Sequence, residues 1–387
     1  MSLAWSNLRH EKIRTAVAVA GVTFAVVLMF MQLGFLTAVE RTATVIYSAL
    51  DFDILLRSPS YLHLSDPRMF PSQRMSQAAS YPGVESVTPF YITINGFQNP
   101  DTLQRWSILT MGVRPGTTPF QVSEITEGIQ RLTNSSSAMI DRKSQAKYGP
   151  ANGVEFGDAD IGRVAEIGGR QVQLAGTFEL GTGLAANAAA ILTDNGFARS
   201  TPRRTVEQIS LGLVRVAGEK SQEEVQRISD GVRELLREQR DVVVMTRQEA
   251  VNRERRYWLF DKSIGIIFLM GVAVAIIVGI AIVYQVLSGD VARHLGEYAT
   301  LKAMGYSNRF LAGVVLRQAI ILAFLGFLVG WLVSVLLFAV TSRGAGIPIK
   351  MDARIVSFVF VTTLLMCCLS GLAALRKAQR AQPADLF

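Results

Sequence analysis

The stretch VLSGDVARHLGEYATLKAMGYSNRF (286–310) decides the fold of this chain. It is polar and charged, and it lies between two apolar runs, 263–287 and 311–340. Each run exceeds the ~20 residues that a helix needs to cross a bilayer. Within the stretch, Val291, Leu295, Tyr298, Leu301 and Met304 recur at helical spacing, with Arg293, Glu297 and Lys302 between them and Gly305 suited to the C′ position. The pattern predicts an amphipathic helix parallel to the membrane. It fits either a plain interfacial turn between two spanning helices or a coupling helix that docks into a groove on a cytoplasmic partner.

Working outward, two further apolar runs appear, 16–39 and 355–375. The first follows a short basic segment, 1–15, in which Leu3, Trp5, Leu8 and Ile13 alternate with Arg9, His10, Lys12 and Arg14, the composition of an interfacial helix at a cytoplasmic membrane face. The run is longer than a signal-peptide core and has no clear small-x-small cleavage site, so it reads as a first transmembrane helix. Four crossings return the tail, 376–387, to the starting side. Basic residues agree at Arg9, Lys12 and Arg14, at Arg293, Lys302 and Arg309, and at Arg376, Lys377 and Arg380. The outer loop 341–354 carries Arg343, Lys350 and Arg354, so parity from the first helix sets the orientation.

Between the first and second spans, residues 40–262 contain no run long enough to cross. Turn clusters such as Ser58-Pro59, Tyr81-Pro82-Gly83 and Gly168-Gly169 separate strand-like runs: SVTPFYITI (86–94), RQVQLAGTF (170–178), AAILT (189–193) and DVVVM (241–245). Helical signals interleave. Ser221 and Glu224 form a capping-box pattern ahead of a stripe of Val225, Ile228, Val232, Leu235 and Leu236, and Thr246 and Glu249 form another. The helix opened by Thr246 is expected to run through Glu254, Arg255 and Tyr257 unbroken into the membrane, as a stalk able to transmit force. The fold class expected is therefore an α-helical membrane protein with four transmembrane helices and a large α+β extracytoplasmic domain between the first and second, which the resemblance given below makes periplasmic.

Bulk composition agrees. The 387 residues are 50% hydrophobic and only 18% charged, with net charge +8 and a mean hydropathy of +0.30. These values lie between a soluble enzyme and an all-membrane transporter, and the basic excess suits cytoplasmic loops, with no nucleic-acid partner implied. Cys367 and Cys368 are adjacent inside an apolar run and space neither as a disulfide framework nor as metal ligands. Three histidines with no HExxH make a metal site improbable. No GxxxxGK[ST] loop occurs; Gly218-Glu219-Lys220-Ser221 only resembles its end, and Leu287-Ser288-Gly289-Asp290 only resembles part of an ATPase signature. The glycine-rich GTFELGTG (176–183) reads as a hairpin or loop, and Asn134-Ser135-Ser136 as a weak sequon. Nothing points to an enzyme. Gln32, Gln285, Arg317 and Gln318 are the polar residues at membrane depth, where such groups usually face protein, although Arg317 can snorkel to the inner face.

GEYATLKAMGYSNR (296–309) resembles the signature of the FtsX-like, or MacB-type, permeases of ABC systems, with Glu297, Leu301, Lys302, Ala303 and Gly305 in register. The N-terminal LAWSNLRHEKIRT, the tail RAQPADLF and the order of one helix, one large domain and three helices resemble the same family. The tail and the missing ATPase make the chain most similar to the stand-alone DevC-type exporter permeases of cyanobacteria. The resemblance implies a homodimer in a bacterial, and specifically cyanobacterial, inner membrane with cytoplasmic termini. It also implies a separate ABC ATPase that binds ATP and Mg, no cofactor on this chain, a periplasmic adaptor and a TolC-like outer-membrane channel. By position it implies ATPase contact through Glu297, Tyr298, Leu301, Lys302, Met304 and Gly305 on a coupling helix within 288–310. Stalks from Glu40 and from Thr246 to Ser263 would link that helix to the outer domain. Two other roles fit the same family: a transmembrane regulator of cell-wall hydrolases, and a lipoprotein-releasing permease.

Overall fold

The computed structural model describes residues 12–149, 154–181, 187–202, 204–218, 221–293, 296, 300, 304, 307–345 and 349–380. They divide into a helical unit, Met1–Ala38 with Ser263–Phe387, and a sheet unit, Val39–Lys262.

The helical unit contains four helices long and apolar enough to span a membrane. They are α1 (Lys12–Ala49, whose last turns enter the sheet unit), α7 (Ile264–Arg293), α8 (Asn308–Ala345) and α9 (Ala353–Arg380). Lipid tails are as apolar as leucine, so such helices associate through close packing over small residues rather than through hydrophobic burial. In α8, Gly326 and Gly330 lie one helical turn apart, and a Cβ on either would stand 2.4 or 2.6 Å from Val22 or Val26 of α1. Thr23 Oγ1 donates to the Gly326 carbonyl at 3.3 Å. Gly21 takes Ile282 of α7 in the same way, and Gly279 takes Met366 of α9. Ser370 Oγ donates to the Ile280 carbonyl at 3.1 Å. Cys367 is buried and Cys368 half-buried, both free, as their place in an apolar helix requires.

Several boundaries differ from those read in the sequence. The span expected at 16–39 is the middle of one continuous helix to Ala49. The span expected to end at 287 runs on to Arg293, the third extends to Ala345, and α9 carries the first part of the expected tail to Arg380. Charged residues extend helices beyond an apolar core wherever nothing breaks the hydrogen-bond ladder. Residues 1–11 and 381–387 lie outside the described residues, as do most of the interfacial segment 1–15 and the end of the tail.

The sheet unit is built from β1 (Ile54–Arg57), β2 (Phe70–Pro71), β3 (Val84–Gln98), β4 (Arg105–Val113), β5 (Ser137–Asp141), β6 (Val164–Ile167), β7 (Arg170–Phe178), β8 (Ala189–Thr193), β9 (Gln208–Ile209), β10 (Leu211–Val216) and β11 (Val243–Thr246). Its main sheet is nine-stranded, in the order β11-β1-β10-β3-β4-β8-β5-β7-β6, and β6 returns to pair with β3. The strands from β3 through β4, β8, β5, β7 and β6 thus close into a small barrel. Its interior holds Phe97, Ile108, Ile140, Phe156, Val172 and Leu192. The length of β3 makes this possible: its start pairs with β10, its second half with β4, and its last residues with β6. Pro89 lies opposite Gly212 of β10, one residue before β4 joins at Phe90, where a missing N–H is tolerated.

The open part of the sheet is covered on both faces, which is why every residue of β1 is buried. Leu55 and Leu213 face the cluster that also takes Ile46, Tyr47 and Ala250. Ile54, Leu56, Val214 and Val216 face the opposite cluster with Ile228 and Val232. Helices here are α2 (Gln73–Ala79), α3 (Ser123–Ile129), α4 (Asp194–Ser200), α5 (Gln222–Leu235) and α6 (Arg247–Arg256). β7 and β8 have the bounds expected from their sequence. The Thr246/Glu249 capping box is complete. At α5, Ser221 Oγ accepts from the Glu224 N–H, while the Glu224 carboxylate turns to Arg227.

Candidate functional site

The linking segment joins α7 to α8. Of the residues proposed there, Glu297, Tyr298, Leu301, Lys302 and Gly305 lie outside the described residues. Met304 is described and 63% exposed; its N–H donates to the Thr300 carbonyl at 3.0 Å, and Thr300 Oγ1 donates to the Gly296 carbonyl at 2.9 Å. Both bonds have the helical i to i−4 spacing. Val291, expected on the amphipathic stripe, instead belongs to α7 and packs with Val315 and Leu375. Ser307 caps α8: its carbonyl and Oγ accept from the Phe310 N–H at 2.9 and 3.4 Å.

The polar residues at membrane depth do not converge. The Gln32 side chain lies against Gly271 of α7, where a Cβ would come within 2.4 Å of it. Gln285 lines a cleft of about 670 Å³ with Val17, Gly21, Ile282, Gly289 and Arg293. Arg317 is exposed. Gln318 is 1% exposed, and its amide finds no partner among the described residues.

What the tertiary structure brings together lies in the sheet unit, at its entry and exit. Glu254, in the last turn of α6, is only 1% exposed. Its carboxylate accepts from Tyr61 Oη at 2.6 Å, the Leu64 N–H at 3.0 Å and Trp258 Nε1 at 3.0 Å. Tyr61 Oη in turn lies 2.8 Å from Tyr47 Oη, on the last turns of α1. Burial raises the Glu254 carboxyl above its ordinary range against the pull of these donors, and burial pushes the Tyr61 phenol well above 10. The nearby cations are engaged elsewhere. Arg57 donates to the Ser58 carbonyl and lies over the Tyr61 ring, and Arg253 donates to the Tyr61 carbonyl.

A second tie runs parallel to the first. Helix α1 has no basic residue in its last turn to meet the carbonyls left over at its C-terminus. Arg247, the first residue of α6, supplies the charge: its guanidinium donates to the carbonyls of Tyr47 (2.8 Å), Leu50 (3.1 Å) and Phe52 (3.2 Å). The segment where the chain enters the sheet unit and the one where it leaves are therefore bound to each other. The exit is not an unbroken stalk. After α6 comes a π-helical turn, Tyr257–Asp261, and then Ser263 with φ of 59°. Such a left-handed residue ends one helix before Ile264 begins the next. Sequence reading missed this because capping signals mark where a helix starts and say nothing of where its path changes within a polar run.

Residues 263–383 match the FtsX-like permease C-terminal family. This FtsX-like segment takes in α7, the linking segment, α8 and α9, and with the spanning helices it makes the chain a multi-pass membrane protein. The chain is also similar to the extracellular domain of the noncanonic ABC-type transporter YknZ from Gram-positive bacteria, at 13% identity and a TM-score of 0.33, covering 50% of this chain and 98% of that one. The periplasmic region of MacB from Actinobacillus actinomycetemcomitans is similar at 8% identity and a TM-score of 0.35, covering 52% and 92%. At such scores neither likeness fixes a property of this chain. No curated protein matches it.

Proposed function

We propose that this chain is the permease subunit of an ABC-type exporter, which passes ATP-driven motion from a separate cytoplasmic ATPase to a domain on the far side of the membrane. The observation that carries the reading is the FtsX-like match over 263–383, spanning the polar link between two apolar helices. In this reading the termini and the segment 288–310 are cytoplasmic and the sheet unit is periplasmic. Two copies pair over two ATPases, which hold ATP and Mg. Leu301, Met304 and Tyr298 anchor in the ATPase, and Glu297 and Lys302 set the register. Gly305 permits close approach. A periplasmic adaptor and a TolC-like channel, as in DevC-type systems, would carry the cargo onward.

The coupling helix can bias the machine only through a difference in ATPase affinity between two states. Leu301→Asp and Gly305→Trp are expected to abolish ATPase co-purification and export while membrane insertion stays intact. Unchanged export in both variants would remove the coupling role. Mild-detergent purification with mass spectrometry separates the two main outcomes. An ATPase with an adaptor and a channel supports export, whereas an ATPase with wall hydrolases and no adaptor supports a regulator.

A further inference from the structure

The cleft between α1 and α7 has no part in the exporter reading. Both sides of it belong to the helical unit. It lies at one end of the two spans: Val17 and Gly21 stand in the first two turns of the span of α1, and Ile282 to Arg293 close the span of α7. At 1.5 Å per residue, Ile282 to Arg293 measures about 16 Å, close to the ~15 Å of hydrocarbon in one leaflet. The volume of about 670 Å³ falls within the roughly 300–1,000 Å³ of ligand clefts.

The lining is graded from polar to apolar. Gln285, Gly289 and Arg293 follow one another at intervals of four residues and so share a face of α7. Arg293 turns back along its own helix, and its Nε donates to the Gly289 carbonyl at 3.2 Å. The guanidinium, with five N–H donors, is thereby held against the cleft and nearer to Gln285. Val17, Ile282 and Val286 supply the apolar wall. Gly289 is a separate clue. Glycine weakens a helix relative to alanine, and at Gly21 and Gly279 the close approach of Ile282 and Met366 accounts for it. A Cβ on Gly289 would meet nothing within 4 Å among the described residues. Its missing side chain keeps the floor of the cleft open between Gln285 and Arg293.

We propose that this cleft is a phospholipid site. Arg293 receives the lipid phosphate, the Gln285 amide donates to the glycerol ester region, and one acyl chain lies along Val17, Ile282 and Val286 over the backbone of Gly289. A molecule with one anionic group and an apolar chain a leaflet long is what the bilayer itself supplies at this end of α7. A guanidinium pairs with phosphate through two parallel N–H donors, which an ammonium cannot do. The inference goes beyond the exporter reading and rests only on α1 and α7 spanning the membrane.

The full chain, purified in mild detergent and stripped of lipid, is titrated with phosphatidylglycerol or with diacylglycerol, which has the same apolar body without phosphate. Native mass spectrometry reads bound lipid and oligomeric state together. Phosphatidylglycerol is expected at one per chain, held roughly fivefold more tightly than diacylglycerol, the worth of one basic group near anionic lipid. Gly289→Leu fills the floor of the cleft without displacing a described neighbour, and should weaken phosphatidylglycerol roughly fivefold or more. Arg293→Ala should erase the preference over diacylglycerol, and Arg293→Lys should restore part of it. Leu336→Ala, at a position 65% exposed on α8, should leave both lipids as in the parent. Equal retention of phosphatidylglycerol by the parent, Gly289→Leu and Arg293→Ala would overturn the site. So would a parent dimer that Gly289→Leu turns into a monomer with lipid retention unchanged, which would assign the cleft to a second copy of the chain. Should Arg293→Ala fail to insert, Gly289→Leu and the comparison of the two lipids on the parent carry the same reading.

Discussion

Glu254 is the residue on which the junction of the sheet unit turns. An ionised carboxylate receiving Tyr61 Oη, the Leu64 N–H and Trp258 Nε1 is satisfied on both oxygens, yet its burial disfavours charge. The folded protein therefore binds this proton more tightly than the unfolded chain does. Its contribution is most favourable at acid pH and declines as the pH rises from 4.5, the ordinary carboxyl value, through the raised one. Glu254→Gln removes the ionisation and keeps the shape. The amide oxygen can accept from Leu64 and Trp258, and the amide nitrogen can donate to Tyr61, whose hydroxyl then turns to Tyr47. Thermal unfolding of the purified chain across mildly acid to neutral pH is expected to slope for the parent and to flatten for this variant at this site. Glu254→Ala leaves the Leu64 N–H and Trp258 Nε1 without their acceptor, while the Tyr61 hydroxyl can turn to Tyr47. At about 1–3 kcal/mol each, it should destabilise by about 2 kcal/mol or more, read as a lowered unfolding midpoint of the tryptophan fluorescence. A loss below 1 kcal/mol would show that water replaces the carboxylate.

The elements on either side of the sheet unit behave differently. Helix α1 runs 38 residues without a break, whereas the exit is interrupted at the π turn and at Ser263. A non-glycine residue in the left-handed region costs roughly 1–2 kcal/mol, so Ser263→Gly should raise stability by up to about 1 kcal/mol in denaturant titration. A fall would mean that the serine side chain makes a contact worth more than the strain. Arg247→Ala removes the guanidinium from the C-terminus of α1 and from the carbonyls of Tyr47, Ser48, Leu50 and Phe52, for an expected loss of about 2–3 kcal/mol. In the helical unit, Gly326→Val or Gly330→Val would drive a branched side chain into Val22 or Val26. Overpacking of that kind costs about 1–3 kcal/mol, and the variants should melt earlier in detergent while keeping their helical circular dichroism.

At the scale of the whole molecule, the apolar helices and the strands β7 and β8 were legible from local pattern alone. Hydrophobic length declares a span, and alternation between turn residues declares a strand. Both depend on neighbours a few residues away. The capping box at Thr246 was legible for the same reason: its donors and acceptors lie within one turn. The FtsX-like match falls on the segment whose polar link stood out between apolar runs. The return of β6 to β3, which closes the barrel, is recorded in no local signal, because Phe97 and Ile167 are far apart in the chain. Nor could spacing show that Tyr47, Tyr61 and Glu254 share one hydrogen-bonded cluster, or that Arg247 caps a helix some 200 residues before it. By itself the sequence determined the spans, their order and the character of the domain between them, since those follow from periodicity and composition. Only the tertiary structure decided which buried polar groups satisfy one another and where the helical path breaks. Desolvation makes each such group costly unless a partner arrives, and partners arrive by packing rather than by sequence distance.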